Sequence, residues 1–214
     1  MLSPDDLAAQ LRPPHGEHAL AVAESMNHSN GELNRAAIAL LSVTPGEEVL
    51  EIGPGNAAFA QDLLRTPRSR YVGVDVSAAM VDAGNALLAA HGLQDRADVR
   101  LGDAHALPLD SACIDAALAV NTLYFWDELK FPFAELTRVL RPGGRLCLAF
   151  GDAAFMRTLP FTGYGFHLHE LAEVEQALRS AGLTVQAWRT HRETGCSNDG
   201  REVTKHFHLL LARR

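Results

Sequence analysis

Glu51-Ile-Gly53-Pro-Gly55-Asn-Ala57-Ala58 is the first stretch of this chain whose residue types could do chemistry. Paired glycines let a backbone turn sharply and come close to a ligand. A helix that starts just after them offers its free N–H groups to the polar parts of a nucleotide. Asp75 lies 22 residues beyond Gly53. In a strand–helix–strand unit that spacing sets its carboxylate beside the glycine loop, where it can accept both hydroxyls of a ribose. Gly102-Asp103-Ala104 follows, and an acid there can accept from an adenine amino group. Asn121-Thr-Leu-Tyr124 comes at the end of a fourth strand-like run, the edge at which open α/β sheets bind ligands. Gly53-x-Gly55-x-x-Ala58 also satisfies the G-x-G-x-x-G/A pattern of dinucleotide enzymes, so these residues alone leave two nucleotide classes open.

The elements that must position these residues alternate. Residues 48–52 read as a strand, 57–65 as a helix and 71–76 as a strand. Ser77 is a plausible N-cap for a helix over 78–90, with Gly92 in the C′ position. Residues 98–101 and 114–120 are further strands, and the second is apolar enough for the middle of a sheet. Residues 128–140 read as a helix, Arg141-Pro-Gly-Gly144 as a tight turn, and 145–150 as a strand. Leu171, Val174, Leu178 and Ala181 recur at helical spacing, and Gly182 closes that helix. Residues 183–190 and 203–212 are two last strands, separated by a loop containing Ser-Asn-Asp-Gly200 and by no helical pattern. They therefore pair antiparallel at one edge. The rest predicts a parallel sheet covered on both faces. Residues 1–41 are Ala/Leu-rich and helical in tendency, broken at Arg12-Pro13-Pro14 and Gly31, and precede a Thr44-Pro45-Gly46 turn. The organisation is a helical cap segment over 1–41 and one cofactor-binding domain over 42–214.

Composition removes other classes. The chain has 214 residues, 47% hydrophobic and 21% charged, an ordinary globular balance. Nineteen basic against 26 acidic residues give a net charge of −7, with no basic block to grip nucleic acid or an anionic membrane. No uncharged apolar run approaches the roughly 18 residues of a membrane span, and the early acids after Met1 do not suit a signal peptide. Cys113, Cys147 and Cys196 form no disulfide framework or thiolate zinc site. The chain reads as a cytoplasmic enzyme or small-molecule binder.

Taken in order, Val49-Leu-Glu-Ile-Gly-Pro-Gly55, Val72-Gly-Val-Asp-Val-Ser77, Gly102-Asp-Ala-His-Ala-Leu-Pro108, Ile114-Asp-Ala-Ala117 and Leu140-Arg-Pro-Gly-Gly144 resemble the motifs of class I S-adenosylmethionine-dependent methyltransferases. Within these they are most similar to the UbiE-like, or methyltransferase-11, branch, over roughly residues 35–212. The resemblance implies a Rossmann-like, seven-stranded, mostly parallel sheet in the order 3-2-1-4-5-7-6, with the last strand antiparallel and helices on both faces. It also implies roles. Gly53 and Gly55 pass under the methionine part of S-adenosylmethionine, and Glu51 supports that loop. Asp75 holds the ribose diol, with Val76 beside it. Asp103 faces the adenine amino group, with the Ala104 backbone alongside. Val120 and Asn121 sit near the sulfonium. Apart from the resemblance, Asn121, Tyr124 or a nearby histidine at the sheet edge is expected to orient the acceptor's nucleophilic atom. Ala57 stands where many members carry a third glycine.

Ten aromatics fall between Tyr124 and Phe166. Those after the fourth and fifth strands suggest an acceptor pocket built from residues 121–126 and 152–169 and closed by the first 40 residues. Met26-Asn-His-Ser-Asn-Gly31 is a polar break, either a lid hinge or a turn. His167-x-His169 and His206-x-His208 each put two rings on one face, but no third ligand is in view, so no metal is expected. His28, His105 and His167 are general-base candidates. The leading expectation is methyl transfer to a small-molecule acceptor by direct in-line displacement, without nucleic acid or membrane. The Asn121-Thr-Leu-Tyr124 segment lacks the prolines of nucleic-acid amino-methyltransferases. A nicotinamide-dependent oxidoreductase and a non-catalytic cofactor-binding protein are the alternatives.

Overall fold

Short, apolar, small-residue runs make the middle of the sheet. β4 (Ile114–Val120) carries Ala116, Ala117, Leu118 and Ala119 essentially without exposure, as a strand covered on both faces must. The chain is described here from a computed structural model covering residues 3–12, 16, 19–196 and 202–214. β1 (Glu48–Ile52), β2 (Arg70–Asp75), β3 (Ala97–Leu101), β4 and β5 (Leu140–Gly151) run parallel. β6 (Thr184–Cys196) and β7 (Glu202–Arg213) form an antiparallel pair, and β7 lies antiparallel against β5. The seven-stranded order is β3-β2-β1-β4-β5-β7-β6, as the resemblance implies. The Ser-Asn-Asp-Gly200 loop lies outside the described residues.

One face of the sheet is covered by α6 (Lys130–Val139) and α8 (Leu171–Ser180), which bury Phe133, Leu136, Val174 and Leu178 against Leu50, Ala117 and Leu148. α8 begins with a capping box of Glu170 and Glu173 and ends at Gly182, at φ +87°. The other face carries α3 (Gly31–Leu41), whose Leu33, Ala37 and Leu41 pack on Val49, Leu118 and Cys147. Arg145 fixes the end of α3 by donating to the carbonyls of Leu41 and Ser42 while pairing with Glu47. α5 (Ala78–Ala90) starts where the Ser77 hydroxyl accepts the Met80 N–H and stops at Gly92, at φ +67°. α1 (Pro4–Leu11) and α2 (Ala19–Ser29) lie before α3, with Ala19 and Ala23 of α2 packed on Met80.

Three boundaries differ from the sequence reading. The helix expected over 57–65 is only α4 (Ala60–Leu63), because Ala57 adopts φ +56° and extends the glycine loop. Arg141-Pro-Gly-Gly144 is not a free turn before β5 but part of it. The pairing with β4 shifts register there, and Gly143 and Gly144 exchange backbone hydrogen bonds with Arg214. β6 runs on to Cys196, past the expected end at 190. No helix among the described residues is long and apolar enough to cross a membrane.

Candidate cofactor and acceptor site

The ends of β1, β2 and β4 and the start of the chain enclose a cavity of about 420 Å3, within the roughly 300–1,000 Å3 of small-molecule sites. Its floor is the glycine loop. The Gly53 N–H donates to the Val74 carbonyl at 2.9 Å, which ties the loop to β2. Gly53 sits at φ +64°, and a Cβ there would fall 2.5 Å from the Thr122 methyl. Only glycine lets the loop pass so close to β4's exit. Gly55 is also at positive φ, with open space where its Cβ would be.

Asp75 ends β2 and is 7% exposed. Its carboxylate accepts the Gly55 N–H at 3.0 Å with one oxygen and the Ser77 N–H at 2.9 Å with the other. Each oxygen keeps a second lone pair for a ligand hydroxyl. Burial pushes the Asp75 carboxyl up, against the pull of those backbone donors. Asp75 and Val76 both line the cavity.

Glu51 is 4% exposed and accepts the Tyr71 hydroxyl at 2.8 Å. Burial raises its carboxyl from 4.5 to about 7, and the nearby Asp75 charge adds to the rise. At the far end of the cavity Asp103 accepts both the backbone N–H and the ring nitrogen of His105. Burial opposes, but those bonds hold the Asp103 carboxyl below its ordinary range. Ala104 and His105 complete that end. Three carboxyl groups thus line the cavity, with Arg12 and His105 as the basic side chains of its described wall.

Val120 and Asn121 close the side at β4. Asn121 adopts φ +55°, a left-handed conformation that asparagine tolerates better than most residues. Its N–H donates to the Ala149 carbonyl at 2.8 Å. Its carboxamide oxygen accepts the Tyr124 hydroxyl at 3.0 Å. Tyr124 itself is buried behind the wall, where its hydroxyl also accepts the Gly151 N–H. The structure therefore brings Glu51, Gly53, Gly55, Asp75, Val76, Asp103, Ala104, Val120 and Asn121 around one cavity and sets Tyr124 behind Asn121.

The N-terminal segment lines the rest, and the polar Met26–Gly31 stretch lies in the last turn of α2 and the step into α3. α1 contributes Gln10 and Leu11, and α2 contributes Val22, Met26 and Asn27. The Asn27 amide donates to Asn56 in the glycine loop at 2.9 Å, which fastens α2 over the site. Asn30 and Asn34 follow on the same side. Phe125 and Trp126 line the wall, as the aromatic clustering suggested, but the connection 152–169 does not reach it. That segment backs the wall instead: Phe166 packs on Phe125 at 5.0 Å between ring centres, and the His167 N–H donates to the Tyr124 carbonyl. Phe161 packs against Phe166 with the rings tilted, and Tyr164 is about half exposed.

Residues 50–148 match the model of the methyltransferase-11 domain. An uncharacterized methyltransferase of Bacillus subtilis, YdaC, is 30% identical over 143 residues, covering 64% of this chain and 76% of its own. The O-methyltransferase resE of Aspergillus sclerotiorum is 26% identical over 171 residues, covering 76% and 64%. Of some other curated relatives the chain spans only 32% to 39% of the length. A geranyl diphosphate methyltransferase solved with S-adenosylmethionine superposes with a TM-score of 0.74 at 19% identity, over 96% of this chain and 94% of that one. The ordered motifs, the domain match over residues 50–148 and the 30% identical Bacillus subtilis relative lead to one assignment: the chain belongs to the class I S-adenosylmethionine-dependent methyltransferases, with S-adenosylmethionine as its cofactor and a methyltransferase-11 domain over residues 50–148.

Proposed function

We propose that this protein transfers the methyl group of S-adenosylmethionine to a small-molecule acceptor in a single in-line displacement. The observation that carries this is the cavity itself. It joins a nucleoside cradle (Gly53, Asp75, Asp103) to an aromatic and amide-lined end (Asn27, Asn121, Phe125, Trp126) without a break. The residues fit the cofactor: glycine is required at Gly53, Asp75 has lone pairs for two hydroxyls, and the three acids suit a cation.

When bound, the cofactor supplies an activated methyl on a cationic sulfur. The chain then has only to hold the acceptor in line at about 3 Å and keep water out. In this reading Asp75 and Val76 hold the ribose, Asp103 and Ala104 the adenine, and Glu51, Gly53, Gly55 and Val120 the methionine end. Asn121 orients the acceptor, and Tyr124 positions Asn121. Phe125 and Trp126 flank the acceptor. α1, α2 and α3 form the cap, with α1 and α2 excluding water. The setting we assign is cytoplasmic, which suits the buried free thiol of Cys147, pushed up to about 12 by burial.

A screen of small-molecule acceptors with methyl-labelled cofactor tests the proposal. Label should appear in a low-molecular-mass product. Label transferred only to protein or nucleic acid would overturn the small-acceptor reading.

A further inference from the structure

We propose that Glu32, His191 and Glu193 form a binding site for a zinc-type divalent cation that pins the start of α3 to β6. The site is separate from the cofactor cavity and independent of methyl transfer. One donor atom from each of the three residues lies within 4.8 Å of the others. Glu193 is 7% exposed, and its Oε2 is buried without a hydrogen-bond partner. The His191 Nε2 is likewise buried without one. The two atoms face each other at 3.4 Å. Donors held at about 2.1 Å around a tetrahedral zinc ion lie about 3.4 Å apart, so this spacing matches one edge of such a site.

Two such atoms facing each other in a buried place call for a proton or a cation between them, and this pair does not meet hydrogen-bond geometry, which leaves the place to a cation. Lys205 does not supply it. Its ammonium approaches the other Glu193 oxygen, Oε1, at 3.3 Å and spends its remaining donors on the carbonyl and hydroxyl of Ser29. Glu32 and Glu193 against Lys205 leave one negative charge at the cluster. One imidazole and two carboxylates are a donor set for a borderline divalent cation rather than for calcium. The third ligand comes from the first turn of α3, two residues from both Asn30 and Asn34 of the cofactor cavity wall. A cation there would hold the cap at the height at which it meets the cofactor.

The test is calorimetric titration of the chelator-stripped full chain with zinc chloride, with thermal melting in parallel. Wild type should bind one zinc ion at micromolar or lower concentration and melt at a higher temperature with it. Glu193→Gln, His191→Ala and Glu32→Gln should each weaken binding at least about tenfold, and the exposed His91→Ala should not. Glu32 is exposed, so Glu32→Gln keeps the test valid if a substitution at buried Glu193 impairs folding. No one-to-one binding to wild type would overturn the proposal, as would unchanged binding in any one of the three variants that folds.

Discussion

The Tyr124 hydroxyl donates to the Asn121 carboxamide oxygen at 3.0 Å while accepting the Gly151 N–H. One phenol thus links the exits of β4 and β5 and fixes which way the Asn121 amide faces. Removing that oxygen alone isolates the link. Tyr124→Phe should lower kcat about tenfold, the worth of one hydrogen bond, and leave cofactor affinity nearly unchanged. It should also lower stability by about 1–3 kcal/mol, since the buried Gly151 N–H loses its acceptor. Steady-state kinetics and thermal melting on one preparation read both effects. A rise in KM or in the cofactor Kd with kcat intact would place Tyr124 outside the positioning role. Tyr124→Ala is the poorer probe, because the ring is 4% exposed and packs on Phe125 and Phe166.

The two loop glycines should respond differently to alanine. Gly53→Ala drives a methyl into Thr122 and forces a left-handed backbone on a residue that costs roughly 1–2 kcal/mol there. It should destabilise the fold and abolish measurable cofactor binding. Gly55→Ala carries the backbone cost alone, since open space surrounds its Cβ. Melting temperatures should therefore rank wild type, Gly55→Ala, Gly53→Ala. Equal melting temperatures for the two variants would mean that the Thr122 contact gives way freely.

Much of this site was legible because strand ends and tight loops place residues by spacing alone. Asp75 at the end of β2 and Asn121 at the end of β4 land on one cavity wall because parallel strands bring their carboxyl ends to the same edge. What was not legible depended on side-chain direction. Tyr124 follows Asn121 by three residues, and a 3-10 turn over Leu123–Phe125 swings it behind the wall. The connection 152–169 leaves the right edge of the sheet but packs behind Phe125. Ala57 adopts a left-handed conformation, φ +56°, so α4 starts only at Ala60. Glu32, His191 and Glu193 were hidden for another reason. His191 and Glu193 share one face of β6 at the two-residue spacing noted for other histidines, but Glu32 joins them only through the packing of α3.

Glu51 makes the fold and the site pH-dependent in a direction opposite to an ordinary salt-bridged acid. Its carboxyl titrates at about 7 in the fold against 4.5 ordinarily, so between those values the folded state binds the extra proton. Stability from this group is therefore present below about pH 4.5, falls as pH rises through 7, and is level above. The rise corresponds to a cost on the order of 3 kcal/mol at pH 8. Glu51→Gln should flatten the decline of melting temperature between pH 5 and 8. A cationic ligand beside Glu51 favours its charged form, so wild-type affinity for S-adenosylmethionine should rise from pH 6 to 8, and that of Glu51→Gln should not. Parallel pH profiles in the two proteins would contradict the titration assigned to Glu51.

The central claim is that the cavity at the ends of β1, β2 and β4 holds S-adenosylmethionine through Asp75. Calorimetric titration of wild type and Asp75→Ala with S-adenosylmethionine, its demethylated product and NAD tests it most directly. Wild type should bind one equivalent of each of the first two and no NAD. Asp75→Ala should lose about 2–3 kcal/mol of that affinity, charge-assisted hydrogen bonds being the strong ones. Because Asp75 also accepts the Gly55 and Ser77 N–H groups, the variant should in addition melt lower. Asp75→Asn, which keeps one carbonyl oxygen in place, should melt closer to wild type and still bind weakly. Binding of NAD with neither methyl-donor ligand, or wild-type affinity in a folded Asp75→Ala, would contradict the account.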